Sequence, residues 1–207
     1  MGSHWHDADL TLPARASGLV VFAHGSGSSR LSPRNQAVAQ SLNQRGFGTL
    51  LFDLLTPREN QRPAARFDIV LLSARLREAL DWAATQPALA PLRLGLFGAS
   101  TGAAAALLAA AADPSGIAAV VSRGGRPDLV GPQWLSRVRT PTMLIVGGHD
   151  DEVLELNRRA AAAIPGDVEL QVVPGATHLF EEPGTLGRVA QVAGDFFARH
   201  LRPVKPP

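Results

Sequence analysis

The sequence predicts an α/β domain with a mostly parallel central sheet and helices on both faces. Short runs rich in aliphatic and β-branched residues alternate with helical patterns along the chain. No internal repeat or low-complexity linker interrupts them. At 207 residues, 45% hydrophobic and 18% charged, the chain suits one globular domain with its own core.

GLVVFAHG (Gly18–Gly25) is a β-rich run ending in glycine turn chemistry. SPRNQAVAQSLNQRG (Ser32–Gly46) follows as a helix, with Ser32 as N-cap, Pro33 at the first helical position and Gly46 as the stop. TLLFDL (Thr49–Leu54) is the next buried strand. The polar, proline-broken stretch Thr56–Arg66 reads as an excursion over the sheet edge. Asp68–Gln86 carries a strong amphipathic period behind an N-terminal acid, which suits the helix dipole. Leu92–Gly98 is a strand, and Thr101–Ala112 a helix closed by Asp113-Pro114. Ile117–Gly125 gives a strand, and a short connection containing Trp134 leads to the strand Thr142–Gly148. A helix around Leu154–Ile164, a strand at Val168–Val173 and a helix from Thr185 to about His200 complete the pattern. One domain is expected over 1–207, its ends at 1–8 and 203–207 loosely held.

Composition excludes several classes of function. With no cysteine there is no disulfide framework, thiolate metal site or cysteine nucleophile. The pI of 10.3 accompanies a formal charge of only +2. With no Tyr or Cys and Lys205 as the single lysine, few groups titrate above neutrality, so a small arginine excess carries the pI upward. No basic stripe suggests a nucleic-acid partner. The first residues lack a basic segment followed by an apolar one, so no secretory signal is expected. The alanine-rich run after Ser100 is too weakly apolar and too short to span a bilayer. No function is placed on His4 or His6.

Four motifs carry chemistry. Gly98-Ala99-Ser100-Thr101-Gly102 is a G-x-S-x-G element between a strand and a helix. A nucleophilic serine on such a tight turn needs small neighbours, and the helix N-terminus stabilises negative charge beside it. A plain packing turn of small residues would look similar. His24-Gly25-Ser26-Gly27-Ser28 can aim backbone N–H groups at a developing oxyanion, with Ser26 and Thr101 as the donors. A phosphate loop is the alternative, but no G-x-x-x-x-G-K-[ST] pattern is present. His24 reads as a brace for this loop.

Gly147-Gly148-His149-Asp150-Asp151-Glu152-Val153 offers a carboxylate at a strand end to orient a histidine. Asp150 is favoured over Asp151 and Glu152, which suit the acidic first turn of a helix. A metal site there is disfavoured, because adjacent side chains seldom converge on one ion. VVPGATHLFEEPG (Val172–Gly184) carries His178 in the loop after the last strand. A lone loop histidine is more often structural; what favours His178 is the order serine, acid, histidine, each after a separate strand.

HGSGSS at 24–29, GASTG at 98–102, GGHDDEV at 147–153 and GATHLF at 175–180 together resemble an α/β-hydrolase of the dienelactone-hydrolase-like branch. AHGSGSSRLSPRN and SRGGRPDL resemble a bacterial subgroup of it, some members of which are fused to phosphoribosyltransferase domains; no such domain is expected here. The resemblance implies an α/β-hydrolase fold without a large cap domain, with Ser100 as nucleophile, Asp150 as acid and His178 as base. It also departs from the branch. True dienelactone hydrolases use a cysteine nucleophile, and this chain has room for one strand before Leu19 where the full fold has two. The brief Ser122–Thr140 segment implies an open, uncapped site.

Arg30, Arg34 and Arg123, with Arg126, are expected on the C-terminal rim of the sheet, where they could clamp a substrate carboxylate or phosphate. Pairing with Asp128, Glu181 or Glu182 is the structural alternative. The expected function is a cytoplasmic serine esterase of short-chain esters or lactones, a monomer or homodimer needing no metal or cofactor. A thioesterase or acyltransferase on the same triad, and a non-catalytic binding domain of this fold, are the alternatives.

Overall fold

Apolar runs buried on both faces leave a strand no choice but the middle of a sheet. Leu19–Ala23 (β2), Gly48–Phe52 (β3), Ala119–Arg123 (β5) and Thr142–Gly147 (β6) are buried along their whole length. With Ala8–Thr11 (β1), Leu94–Ala99 (β4) and Val168–Val173 (β7) they form one seven-stranded sheet in the order β1-β3-β2-β4-β5-β6-β7. Only the exposed edge strand β1 runs antiparallel, against β3. The computed structural model describes residues 6–113 and 115–201.

The helices are α1 (Pro33–Gln44), α2 (Pro57–Asn60), α3 (Ile69–Thr85), α4 (Thr101–Ala112), α5 (Pro132–Leu135), α6 (Asp151–Ala163) and α7 (Thr185–His200). Alternate β2 residues point to opposite sides. Leu19, Val21 and Ala23 join a core with α3 and α4, while Val20 and Phe22 join another with α1 and α7. Helices therefore cover both faces. The chain passes from β2 out to β3, then back across to β4, so the strand order reverses beside the C-terminal ends of β2 and β4. A crevice opens at such a switch point, and the 24–29 loop and Ser100 lie at its two sides.

Local chemistry explains the elements. Ser32 caps α1 by accepting from the Asn35 N–H, with Pro33 at the first position. Asp68 caps α3 in the same way through the Leu71 N–H. Eleven of the twelve α4 residues are buried, because alanine lets the helix pack close to the sheet and to α3 and α5 at once.

The 56–67 excursion contains structure that its prolines conceal. Thr56 and Glu59 form a reciprocal capping box around α2, and a 3-10 turn follows at Pro63–Phe67. Helix α6 begins at Asp151, three residues before the expected start. The N-terminal stretch is tied down from residue 6: the His6 Nδ1 lies 2.7 Å from the Asp53 carbonyl oxygen, and the Asp53 N–H donates to the Asp7 carbonyl. Loose ends were expected at 1–8 and 203–207; residues 6–8 are in place, while 1–5 and 202–207, with Pro114, expected to help close α4, lie outside the described residues. Between β5 and β6 stand only a 3-10 turn at Pro127–Leu129 and the single-turn α5, so the described residues include no cap domain. Among them no helix is long and apolar enough to cross a membrane.

Candidate active site

Ser100 ends β4 and opens α4 with φ 51° and ψ −119°, a backbone conformation that L residues seldom hold. The glycines two positions away make the turn possible. A Cβ on Gly98 would fall 2.7 Å from the Ala103 nitrogen, and one on Gly102 would fall 2.6 Å from the Ala23 carbonyl carbon. Neighbouring backbone holds the turn: the Ser100 N–H donates to the Arg123 carbonyl at 3.2 Å, and the Arg126 N–H donates to the Ser100 carbonyl at 3.3 Å.

His178 lies in the loop after β7, with its Nδ1 2.6 Å from Asp150 Oδ2. Asp150 follows the β6 end and is the N-cap residue of α6, its side chain 15% exposed against 37% for His178. Asp151 and Glu152 form the acidic first turn of α6. The structure thus brings Asp150, and not its neighbours, to the histidine. The loop closes over β6 because the His149 N–H donates to the Ala176 carbonyl at 2.9 Å. Gly124, in the left-handed region at φ 52°, leaves room for the imidazole; a Cβ there would sit 3.5 Å from two ring atoms.

Ser100 and His178 line one cavity of about 230 Å³ with Gly25, Ser26, Arg34 and Arg123 among its walls. A larger cavity of about 470 Å³ borders the same loop at His24, Ser28 and Ser29 but reaches neither Ser100 nor His178. Such an arrangement can take a proton from a serine hydroxyl, stabilise the resulting imidazolium and hold charge at a helix start.

The 24–28 loop is braced by His24. Its Nε2 accepts from the Leu54 N–H at 3.0 Å, and its Nδ1, 2.9 Å from the Gly25 carbonyl oxygen, then carries the proton and donates to it. Burial pushes the His24 pKa down, against smaller raising effects of the Gly25 bond and Asp53. A neutral ring with one donor and one acceptor nitrogen is what these partners require. The Ser26 N–H donates to Thr101 Oγ1 at 2.8 Å, so an oxyanion must compete with that hydroxyl for it. The Thr101 N–H stands at the first position of α4, where the helix supplies no acceptor.

The rim arginines separate. Arg30 donates to Asp53 at 2.8 Å and lies 3.5 Å from both Asp7 and Asp9, away from the walls of the Ser100 cavity. Three carboxylates surround it, as the structural alternative has it. Arg126 pairs with Asp128 at 2.7 Å. Arg34 lines the cavity and pairs with Glu181 at 2.9 Å. Arg123 lines the same cavity and is buried. Among the described residues no group of three or more His, Asp or Glu could hold a metal ion.

Three contributors escaped sequence reading. The Thr101 hydroxyl holds the Ser26 N–H. Asn157 donates to the Gly125 carbonyl at 2.9 Å and to the Val153 carbonyl at 2.8 Å, anchoring the loop behind the elbow. Its signal was an asparagine on the same helical stripe as Val153, Leu154 and Ala160. Phe180, fully buried at φ 55°, lies under Arg123, and no local pattern announces a left-handed phenylalanine.

Comparison with known proteins agrees with this fold. A family described as an alpha/beta hydrolase domain matches residues 16–200. Two proteins from Mycobacterium tuberculosis strains, provisionally named phosphoribosyl transferases, are 62% identical over 192 residues, covering 93% of this chain. The match covers 43% of their length, so the chain spans less than half of these relatives. A crystal structure of dienelactone hydrolase from Anabaena variabilis is 50% identical with a TM-score of 0.94, covering 97% of this chain and 94% of that one. Est1E from Butyrivibrio proteoclasticus shares the fold at 16% identity and a TM-score of 0.79, covering 94% of this chain and 93% of that one.

Proposed function

The chain belongs to the alpha/beta hydrolase domain family and is dienelactone-hydrolase-like, and from that premise we propose that it is a serine hydrolase of short-chain carboxylic esters or lactones. One observation carries this reading. A serine on a left-handed elbow shares a cavity with a histidine whose other ring nitrogen lies 2.6 Å from a carboxylate.

His178 takes the proton of Ser100 as Oγ attacks the ester carbonyl. Asp150 holds the ring tautomer and balances the imidazolium. The Ser26 and Thr101 N–H groups receive the oxyanion, whose charge-assisted bond outcompetes the neutral one that Ser26 makes to Thr101. The alcohol leaves on the proton held by His178, and water activated by the same ring releases the acid. The reaction needs no metal or organic cofactor. We place the protein in the cytoplasm, acting on small molecules as a monomer or homodimer.

The phosphoribosyl transferase name belongs to relatives of which this chain matches 43%, whereas the residues gathered at the cavity are a serine and a histidine paired with a carboxylate. We therefore assign ester hydrolysis, not phosphoribosyl transfer, to these residues. The test is hydrolysis of p-nitrophenyl acetate, butyrate and octanoate by wild type and Ser100→Ala. Turnover should vanish in the variant, and a fluorophosphonate should label wild type alone. Faster turnover of acyl thioesters would favour a thioesterase, and a folded protein with neither turnover nor label would favour a binding domain.

A further inference from the structure

Ser100, Asp150 and His178 all follow the ends of strands. Another cavity, of about 500 Å³, lies at the opposite end of the sheet, among residues that lead into three adjacent strands. Leu92 and Arg93 precede β4, Ile117 and Ala118 precede β5, and Thr140 and Pro141 precede β6. His200 borders it from the end of α7. The six residues of β4 separate it from Ser100, about 20 Å at the usual rise per residue. Its size is that of a small-molecule site.

The charge around this cavity is one-sided. Arg93 and Arg139 stand on either side of the β5 entrance. No carboxylate lines the cavity, and among the described residues none forms an ion pair with either arginine. The Arg139 Nη1 donates to the Ser136 carbonyl at 3.3 Å, which steadies the side chain without neutralising it. The acids nearby are engaged elsewhere or stand outside. Asp113 accepts from the Ser115 hydroxyl and the Gly116 N–H, and Glu169 pairs with Arg199. Asp167 precedes β7 and, with Glu169, acts on His200 from there. Burial, the largest effect, and the charges of Arg199 and Arg93 nevertheless push the His200 pKa down from 6.5, so its ring is neutral at pH 7. Thr140, on the cavity wall, is 2% exposed, and its Oγ1 is buried without a hydrogen-bond partner. The backbone beside it is already paired: the Leu94 carbonyl accepts from Ala118, that of Pro141 from Val120, and that of Thr140 from the Thr142 hydroxyl. A buried hydroxyl left unpaired is costly, and here its partner must come from the cavity.

We propose that this cavity is a binding site for a small organic phosphate monoester, separate from the Ser100 cavity. A phosphate monoester is close to a dianion at neutral pH, which two guanidinium groups match. A carboxylate, with one charge, would leave one of them uncompensated. The planar forks of Arg93 and Arg139 offer paired donors to the phosphate oxygens, and the Thr140 hydroxyl adds another. Leu92, Leu94, Ile117 and Pro141 give the organic part an apolar wall, which a bare phosphate would leave empty. The site stands whether or not Ser100 is a nucleophile.

The test is titration calorimetry with phenyl phosphate, inorganic phosphate and benzoate. Phenyl phosphate should bind at one site, about tenfold or more tighter than either of the others, since only it offers both a dianion and an apolar part. Arg93→Met and Arg139→Met should each weaken it about tenfold, the worth of one charge-assisted contact. Arg77→Met, which removes an exposed arginine of α3 away from the cavity, should leave the affinity unchanged. Thr140→Val should weaken binding about threefold, and Thr140→Ser should restore it. Phenyl phosphate at saturating concentration should leave hydrolysis of p-nitrophenyl acetate uninhibited, because the two cavities lie at opposite ends of β4.

Helices α3, α4 and α6 end at this face with no basic residue in their last turns, so balancing helix ends is the structural alternative for the two arginines. On that alternative Arg93→Met and Arg139→Met would lower the Tm while phenyl phosphate raised it in no variant, and the site would be overturned. Affinity that survives in the Arg93→Met/Arg139→Met double variant, or an equal loss in Arg77→Met, would overturn it too. So would competitive inhibition of ester hydrolysis at the calorimetric Kd, which would move the anion to the Ser100 cavity. If no ester is turned over, the nucleophile reading fails by itself, and the arginine dependence of the calorimetric signal decides the phosphate site.

Discussion

Replacing Asp150 with asparagine keeps the shape of the site and removes one charge. On the proposed mechanism His178 is an imidazolium in the transition state, and the Nδ1 to Oδ2 separation of 2.6 Å puts the two charge centres about 4 Å apart once each is spread over its group. At an effective dielectric constant of about 20 that attraction is worth about 4 kcal/mol. Water reaching the imidazole, whose side chain is 37% exposed, trims it to about 3 kcal/mol, or about a hundredfold in rate. An asparagine amide can also donate to Nδ1, leaving a proton on the nitrogen that should accept one from Ser100; wrong-tautomer losses bring the total to about 10³–10⁴-fold. The loss should fall on kcat with KM little changed, because the charge pair exists only after proton transfer. Asp151→Asn, in the first turn of α6, changes a helix-end interaction of about 0.3–1 kcal/mol and should leave the rate within about twofold. Steady-state hydrolysis of p-nitrophenyl acetate by the two variants decides the matter. If Asp150→Asn stays within tenfold of wild type, or Asp151→Asn is the more damaging, the assignment of the acid is refuted.

Two further predictions concern stability. Burial would raise the Glu59 carboxyl, but hydrogen bonds from Arg75 and Thr56 outweigh it and bring its pKa to about 2 from 4.5. That depression contributes at most about 3 kcal/mol, present above pH 4.5 and lost as the pH falls toward 2. Arg75→Met should therefore cost about 3 kcal/mol in urea unfolding at neutral pH, with the deficit shrinking at pH 3; a deficit constant with pH would show that the pair is not its source. His24 is held neutral by burial, so its contribution is fully present above 6.5 and is lost as the pH falls below that value. His6 and His200 are lowered in the same direction, so the difference between wild type and His24→Asn isolates one group. Wild type should lose more stability than the variant between pH 7 and 5, and parallel profiles would count against a neutral brace.

Much of this architecture was legible because strand burial and helix capping act over a few residues. The alternation of β2 through α7 could be read, as could Ser32, Pro33 and Asp68 as helix starts. Ser100, Asp150 and His178 stood out because each follows a strand and is flanked by glycine or by a chain reversal. The arginines were less legible. Whether Arg30 meets Asp53 or a substrate depends on a partner 23 residues away that only the fold brings near. Arg123 illustrates the converse: its burial without a paired carboxylate among the described residues is a property of its surroundings, and no local pattern expresses it. The excursion at 56–67 misled for another reason. Pro57 and Pro63 both look like breakers, yet each opens a helical turn, where a missing N–H costs nothing.

Only two non-glycine residues among those described, Ser100 and Phe180, hold a positive φ; the first lines the cavity, and the second packs beneath Arg123, which lines it too. Each such conformation stores roughly 1–3 kcal/mol that the packed surroundings must outweigh. The order of thermal events follows. On heating, the elbow and the His178 loop should relax toward ordinary backbone angles while the sheet and the α4 core are still intact, so turnover followed alongside a thermal melt should disappear several degrees before cooperative melting. Cooling should restore both, with the strained turns re-forming last, because only a finished core can bend them.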